Sequence, residues 1–182
     1  MTAVVGLVHG DRVHLGADSA GIAGWSLTVR ADEKAFRNGP YVMGFTTSFR
    51  MGQLLRHAFV PPEPSGDLTR FMVTGFVDAV RACLKEGGWA TKSSEQEQGG
   101  EFLVGVAGRL FVIHSDYQVA ESADGYAAVG CGADIALGAL YATGGMLPKP
   151  RLRTALEAAE RHSAGVRGPF AFVTTRKPST TP

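Results

Sequence analysis

Short alternating runs open the chain, and longer one-sided stripes follow. Residues 2–8, Thr2-Ala-Val-Val-Gly-Leu-Val8, form an apolar run that predicts a strand. His9-Gly10-Asp11 is a turn, and Arg12 to Asp18 reads as the second arm of a hairpin. In that arm Val13, Leu15 and Ala17 alternate with Arg12, His14 and Asp18, so one face is apolar. Residues 19–30 are a Gly-rich connection with short extended pieces. Glu33 to Arg37 is a short strand, Asn38-Gly39-Pro40 a turn, and Tyr41 to Phe45 another strand.

The period then changes. Met51, Leu54, Leu55, Ala58 and Phe59 recur at helical spacing over residues 48–59, and Pro61, Pro62 and Pro64 stop that helix. Asp67 is placed to cap a second helix. Its stripe comprises Leu68, Phe71, Met72, Gly75, Phe76, Ala79, Val80, Cys83 and Leu84, and Gly87-Gly88 ends it. Residues 89–100 are polar and irregular and predict a surface loop. Strands are expected over 102–107 and 110–114, with further pieces at 117–120 and 125–129. Helices over about 133–143 and 150–162, a last strand over 170–174 and a disordered polar tail complete the pattern.

The order is strands, two helices, strands, two helices, strand. Clustered antiparallel strands and paired helices imply an α+β domain rather than an alternating parallel one. Two helix pairs can cover two sheet faces, which gives four layers. The expected domain spans residues 2–176, with 177–182 as tail. No internal repeat and no linker to a second domain is visible.

Composition narrows the function classes. The 182 residues are 45% hydrophobic and 19% charged, as in ordinary soluble domains, and suffice for a sizeable core. Lys plus Arg is 18 against 17 Asp plus Glu, which gives no electrostatic case for nucleic acid or an anionic membrane. No apolar run is long enough to span a bilayer, and the polar stretch His9 to Arg12 argues against a signal peptide. Two distant cysteines, Cys83 and Cys131, suit a reducing compartment, so a cytoplasmic address is expected. The five histidines have no metal-ligand spacing, and neither metal nor cofactor is expected. Gly130-x-Gly132 is half a dinucleotide fingerprint without its third glycine. Ala17 to Gly21 resembles a nucleophile elbow without the helix that should follow it.

The chemistry gathers at the start. Thr2 follows Met1, Asp18 lies sixteen residues later, and Lys34 sixteen after that. Removal of Met1 would put a hydroxyl and a free α-amine on one residue, a nucleophile together with its base. Thr2, Gly16-Ala17-Asp18, Lys34 within Asp32-Glu-Lys-Ala-Phe36, and Tyr41 to Thr47 resemble the opening of proteasome β-type subunits. They resemble still more the bacterial two-component peptidase of HslV type. Val129 to Leu140 resembles the family's Gly-Ser-Gly turn and following helix, and the likeness runs over about residues 2–176.

The resemblance implies an N-terminal nucleophile (Ntn) hydrolase, an α+β protein with an αββα sandwich of two antiparallel sheets flanked by helix pairs, assembled into homo-oligomeric rings. It implies a threonine-type peptidase acting on peptides or unfolded protein, with an unfolding ATPase as a conceivable partner. Thr2 would attack, its own amine would take the proton, and Lys34 would favour the neutral amine and stabilise the oxygen. Asp18 would hold Lys34, and the backbone N–H of Ser48 would receive the oxyanion. Only ordinary removal of Met1 is expected to be needed.

The chain also departs from the family pattern. Cys131 stands where a serine usually contacts the terminal amine, and Ser48 where a glycine is usual. His162 and Gly165, in Arg161 to Gly165, match positions where the family has an aspartate and a serine. Two other readings follow: a proteasome-like ring or binding protein without turnover, and an Ntn amidase acting on a small amide. Asp32, Thr46 and Arg50 match positions expected to line the first specificity pocket.

Overall fold

Strands β1 (Val4–His9) and β2 (Arg12–Ala17) form the predicted hairpin, with Val4 opposite Ala17. The structure is a computed structural model that describes residues 1–93 and 96–176. Strands β3 (Ala20–Ala23), β4 (Ser26–Val29), β5 (Ala35–Asn38) and β6 (Tyr41–Phe45) follow, then helix α1 (Phe49–His57). Next come α2 (Leu68–Phe71), a π-helical turn (Met72–Phe76) and α3 (Val77–Glu86). The middle strands are β7 (Thr91–Ser93), β8 (Gln96–Gln98), β9 (Phe102–Val106), β10 (Arg109–Ile113), β11 (Val119–Glu121) and β12 (Tyr126–Val129). Helices α4 (Ala133–Ala142) and α5 (Pro148–His162) and strand β13 (Ala171–Thr174) complete the order.

Two antiparallel sheets form, one in the order β12-β1-β2-β13 and the other β11-β10-β9-β6-β5. Strands β1, β6 and β9 are buried along most of their length because both sheet faces are covered. In β1, Val5 and Leu7 pack with Ala136 and Leu140 of α4 and Leu152 and Leu156 of α5. Val4, on the opposite face of β1, packs with Val13 and Leu15 and with Val42 and Leu103 of the other sheet. That second sheet turns Tyr41, Met43, Phe102 and Val104 toward Met51 and Leu55 of α1 and toward Phe76, Val80 and Leu84. Helices, sheet, sheet, helices gives the four layers expected from the element order and the αββα sandwich that the resemblance implies.

The two sheets meet through small residues. A Cβ added at Gly44 would lie 2.5 Å from Val4 Cγ1, and one at Gly105 would lie 2.4 Å from Val13 Cγ1. Side chains there would force the sheets apart.

Several boundaries differ from expectation, each for a local reason. The connection over 19–30 is a regular hairpin, β3 paired with β4, turning at Gly24 with φ +57°. The predicted loop over 89–100 contains a second hairpin, β7 with β8, whose polar residues pair through their backbones. Pairing of this kind leaves no hydrophobic period to read. The stripe over 68–84 is interrupted by the π turn, so Gly75 is exposed and Val77 is buried instead. Thr74 Oγ1 donates to the Arg70 carbonyl there at 2.7 Å. Helix α5 starts at Pro148, using proline's fixed φ in its first turn. Ser48 and Asp67 cap α1 and α2 through their side chains, accepting from Arg50 N and Arg70 N. The expected tail, 177–182, lies outside the described residues.

Gly105→Val should destabilise the fold by about 1–3 kcal/mol through overpacking against Val13. A urea titration read by circular dichroism checks this, and an unchanged midpoint would show that the sheets yield freely.

Candidate active site

Three residues far apart in sequence meet where two strand ends face each other. Thr2 lies two residues before β1, Asp18 immediately follows β2, and the Val4–Ala17 register brings them side by side. Lys34 precedes β5 on the other sheet, and its carbonyl accepts from Phe45 N at 3.0 Å, which anchors it to β6. From there its side chain crosses to Asp18. All three are buried, at 2%, 1% and 2% exposure for Thr2, Asp18 and Lys34.

Asp18 organises the group. Its Oδ1 accepts from Thr2 Oγ1 at 2.9 Å, from Ala3 N at 3.1 Å and from Lys34 Nζ at 2.7 Å. Its Oδ2 accepts from Ala20 N at 2.9 Å and from Arg167 N at 3.2 Å. Lys34 Nζ also donates to Thr2 Oγ1. The Thr2 oxygen therefore sits between a carboxylate that accepts its proton and an ammonium that donates to it. Burial pulls the Lys34 pKa below the ordinary lysine range, and the charge of Asp18 opposes that shift. An ammonium with its pKa lowered gives up a proton more readily and serves as a donor to the nucleophile oxygen.

The Gly130-Cys131-Gly132 turn joins β12 to α4 and closes over the N-terminus. Gly130 has φ +96°, and a Cβ there would lie 2.4 Å from the Thr2 carbonyl oxygen, so only glycine fits. Gly132 N donates to that oxygen at 3.2 Å. Thr2 N donates to Cys131 Sγ at 3.2 Å. With Met1 present this nitrogen is a peptide amide, whose lone pair is delocalised and cannot take a proton.

The segment after α5 also reaches this point. Gly165 packs against Cys131 and Met1, where an added Cβ would meet Cys131 Sγ at 2.4 Å and Met1 Cβ at 2.7 Å. His162 is exposed. Ser163, one residue on, brings its Oγ within 3.5 Å of Cys131 Sγ. Sequence reasoning missed Ser163, although a one-residue shift in matching Arg161 to Gly165 would have put a hydroxyl in the loop.

Ser48 caps α1 with its side chain, while its N–H donates to the Thr46 carbonyl at 2.7 Å. Thr47 between them has φ +65°, a left-handed conformation that disfavours side chains. The turn is fixed from outside: Thr46 N donates to the Glu101 carbonyl, and Glu101 N to Thr47 Oγ1. A cavity of about 240 Å³ opens between this turn and Thr2, with Ile22, Arg30, Phe45, Thr46 and Phe49 among its walls. Of the three residues expected in a specificity pocket, Thr46 lines it. Asp32 is bound to Arg30, and Arg50 donates to the Gly87 carbonyl at 3.0 Å. Among the described residues, no group of three or more His, Cys, Asp or Glu could hold a metal ion. No helix among them is long and apolar enough to cross a membrane.

Solved structures share this fold. Thiobacillus denitrificans BPH is similar at TM-score 0.80 and 20% identity, over 97% of this chain and 100% of that one. The same protein in complex with Epoxomicin matches at TM-score 0.80 and 21% identity, over 96% and 98%. Eukaryotic HslV from Trypanosoma brucei matches at TM-score 0.69 and 19% identity, over 97% and 100%. The chain therefore shares the fold of BPH and of HslV. At the level of sequence, no family model and no curated protein matches it.

Asp18→Ala would leave Lys34 buried without its counter-charge, which should destabilise the protein by about 3–5 kcal/mol. Thermal unfolding checks this. A variant as stable as the parent would mean that water replaces the carboxylate.

Proposed function

We propose that the chain is a threonine-type peptidase subunit of the proteasome and HslV-like Ntn family, active once Met1 is removed. The observation that carries this reading is the buried Thr2 hydroxyl, bonded at once to Asp18 and Lys34 beside an open cavity. The neighbour in complex with Epoxomicin supports it, as does the HslV neighbour, at the level of fold.

The proposed reaction starts with the freed α-amine of Thr2, whose ordinary pKa of about 7.7–8.0 suits a base near neutral pH. It takes the Oγ proton, directly or through water, as Oγ attacks the peptide carbonyl. Lys34 favours the neutral amine by like-charge repulsion and stabilises the attacking oxygen. Asp18 keeps Lys34 in place. The tetrahedral oxyanion is received by Ser48 N–H, and for this the substrate oxygen must displace the Thr46 carbonyl. The C–N bond breaks, the amine's extra proton leaves with the new amino terminus, and water then hydrolyses the Thr2 ester. Cys131 and Ser163 position the terminal amine. Peptides or unfolded protein are the substrates, a homo-oligomeric ring the assembly and the cytoplasm the setting, with residues 2–176 forming one domain. An unfolding ATPase is a candidate partner.

One observation favours a second reading, a ring or binding protein without turnover: the Ser48 N–H already has an acceptor in Thr46. A small-amide hydrolase differs from both in needing no chamber, so particle size separates it from them.

Intact mass of the purified protein should show loss of Met1. Thr2→Ala should abolish peptide hydrolysis while leaving assembly unchanged, and Thr2→Ser should retain measurable turnover. Hydrolysis that survives Thr2→Ala would sink the mechanism. Quantitative retention of Met1 with no turnover would establish the second reading. For the amine, Cys131→Ser should retain activity with a shifted pH–rate profile; a profile identical to the parent's would remove Cys131 from the amine's surroundings.

A further inference from the structure

We propose that the cavity beside Thr2 accepts uncharged side chains and rejects lysine and arginine, because Arg30, laid across Phe49 and held by Asp32, forms its charged wall. This rests on the reading of Thr2 as nucleophile and goes on to name the substrate class.

A substrate carbonyl attacked by Thr2 lies between Thr2 Oγ1 and the Thr46–Ser48 turn. The side chain of that same residue then enters the cavity that Thr2 and the turn both line. The charged groups among the lining residues are Arg30 and Lys34, both cationic, and no aspartate or glutamate is among them. The nearby carboxylates are engaged. Asp18 is bound to Lys34. Asp32 accepts from Arg30 Nε and Nη2 through both oxygens, each at 2.6 Å.

Arg30 is also fixed from its flat side. Its guanidinium carbon lies 3.8 Å from the centre of the Phe49 ring, a stacking that orients the planar group along the wall. Phe45 is a wall both of this cavity and of a smaller one lined by Asp32 and Glu33. Gly52 allows the ring to stand there, since a Cβ at that position would come within 2.2 Å of it. A cationic side chain would therefore give up its water with no free carboxylate to replace it. An apolar one meets Ile22, Ala23, Phe45 and Phe49. The charge of Arg30 is neutralised by Asp32, so an acidic side chain gains little from it.

Replacing Arg30 should do more than enlarge the cavity, because it frees Asp32. Arg30→Met keeps an apolar group on Phe49 and leaves a carboxylate able to pair with a substrate cation. Fluorogenic peptides that differ only in the residue before the cleaved bond, leucine or arginine, provide the probe. With protein shown by mass to lack Met1, kcat/KM should favour leucine at least tenfold. In Arg30→Met that ratio should fall at least tenfold, and in Arg30→Met/Asp32→Asn it should return toward the parent value. Equal cleavage of both peptides by the parent, or an unchanged ratio in Arg30→Met, would overturn the proposal.

A binding measurement separates this from the nucleophile reading. Fluorescence anisotropy of labelled peptides ending in leucine or arginine, titrated with Thr2→Ala, should show the same preference. If no peptide is hydrolysed by the parent but the binding preference holds, the peptidase reading fails and the cavity assignment stands. If binding does not discriminate, the cavity assignment fails whatever the activity.

Discussion

Everything at the N-terminus depends on one buried ion pair, Lys34 with Asp18, at 2.7 Å. Removing two such charges from water is expensive, by several kcal/mol per ion, and mutual attraction alone rarely repays it. Here the remaining valences are filled. Three backbone N–H groups, from Ala3, Ala20 and Arg167, point at the carboxylate, and the Thr2 hydroxyl takes a further place. The pair is better understood as a device of orientation than as a source of stability. An apolar pair of similar volume would hold the sheets together as well, but it would leave Thr2 Oγ1 without a partner on either side.

The pair is possible only because the two sheets lie close. Lys34 belongs to the edge of one sheet and Asp18 to the end of a strand in the other. Glycines on the inner faces, Gly44 and Gly105, let Val4 and Val13 fill the interlayer space from the opposite sheet. Packing at the centre of the sandwich therefore sets the reach that the lysine must span. The chemistry of residue 2 and the size of residue 105 are linked through that spacing.

The layered fold was legible in the sequence wherever a face was buried. The period of two in Val13, Leu15 and Ala17 and the helical spacing of Leu54, Leu55, Val80 and Leu84 both mark positions whose side chains enter a core. Hairpins that pair through the backbone without an alternating apolar face left no such mark, which is why β3–β4 was expected only as a connection with short extended pieces and β7–β8 as a surface loop. The site divides along the same line. Thr2, Asp18 and Lys34 stand out because their spacing follows the strands that carry them. Ser163 and Arg30 do not, since each gains its place through a contact distant in sequence: Ser163 with Cys131, and Arg30 with the Phe49 ring. The Ser48 N–H was legible as a donor, but its present acceptor, Thr46, was not, because a left-handed Thr47 has no signature in composition.

The many bonds to Asp18 also give the site a mechanical asymmetry. One carboxylate ties together the start of β1, the start of β3, the lysine before β5 and the segment that leads into β13. Motion of any of these pieces is coupled to the others, and the group belongs to a single cooperative unit with the sandwich. The turn over Thr46 to Ser48 takes no bond from Asp18; it is held separately, by two bonds to Glu101 and by its own short internal bond. The attacking oxygen and the backbone that faces it across the cavity are thus anchored through different strands, and only the packing of one sheet on the other sets the gap between them.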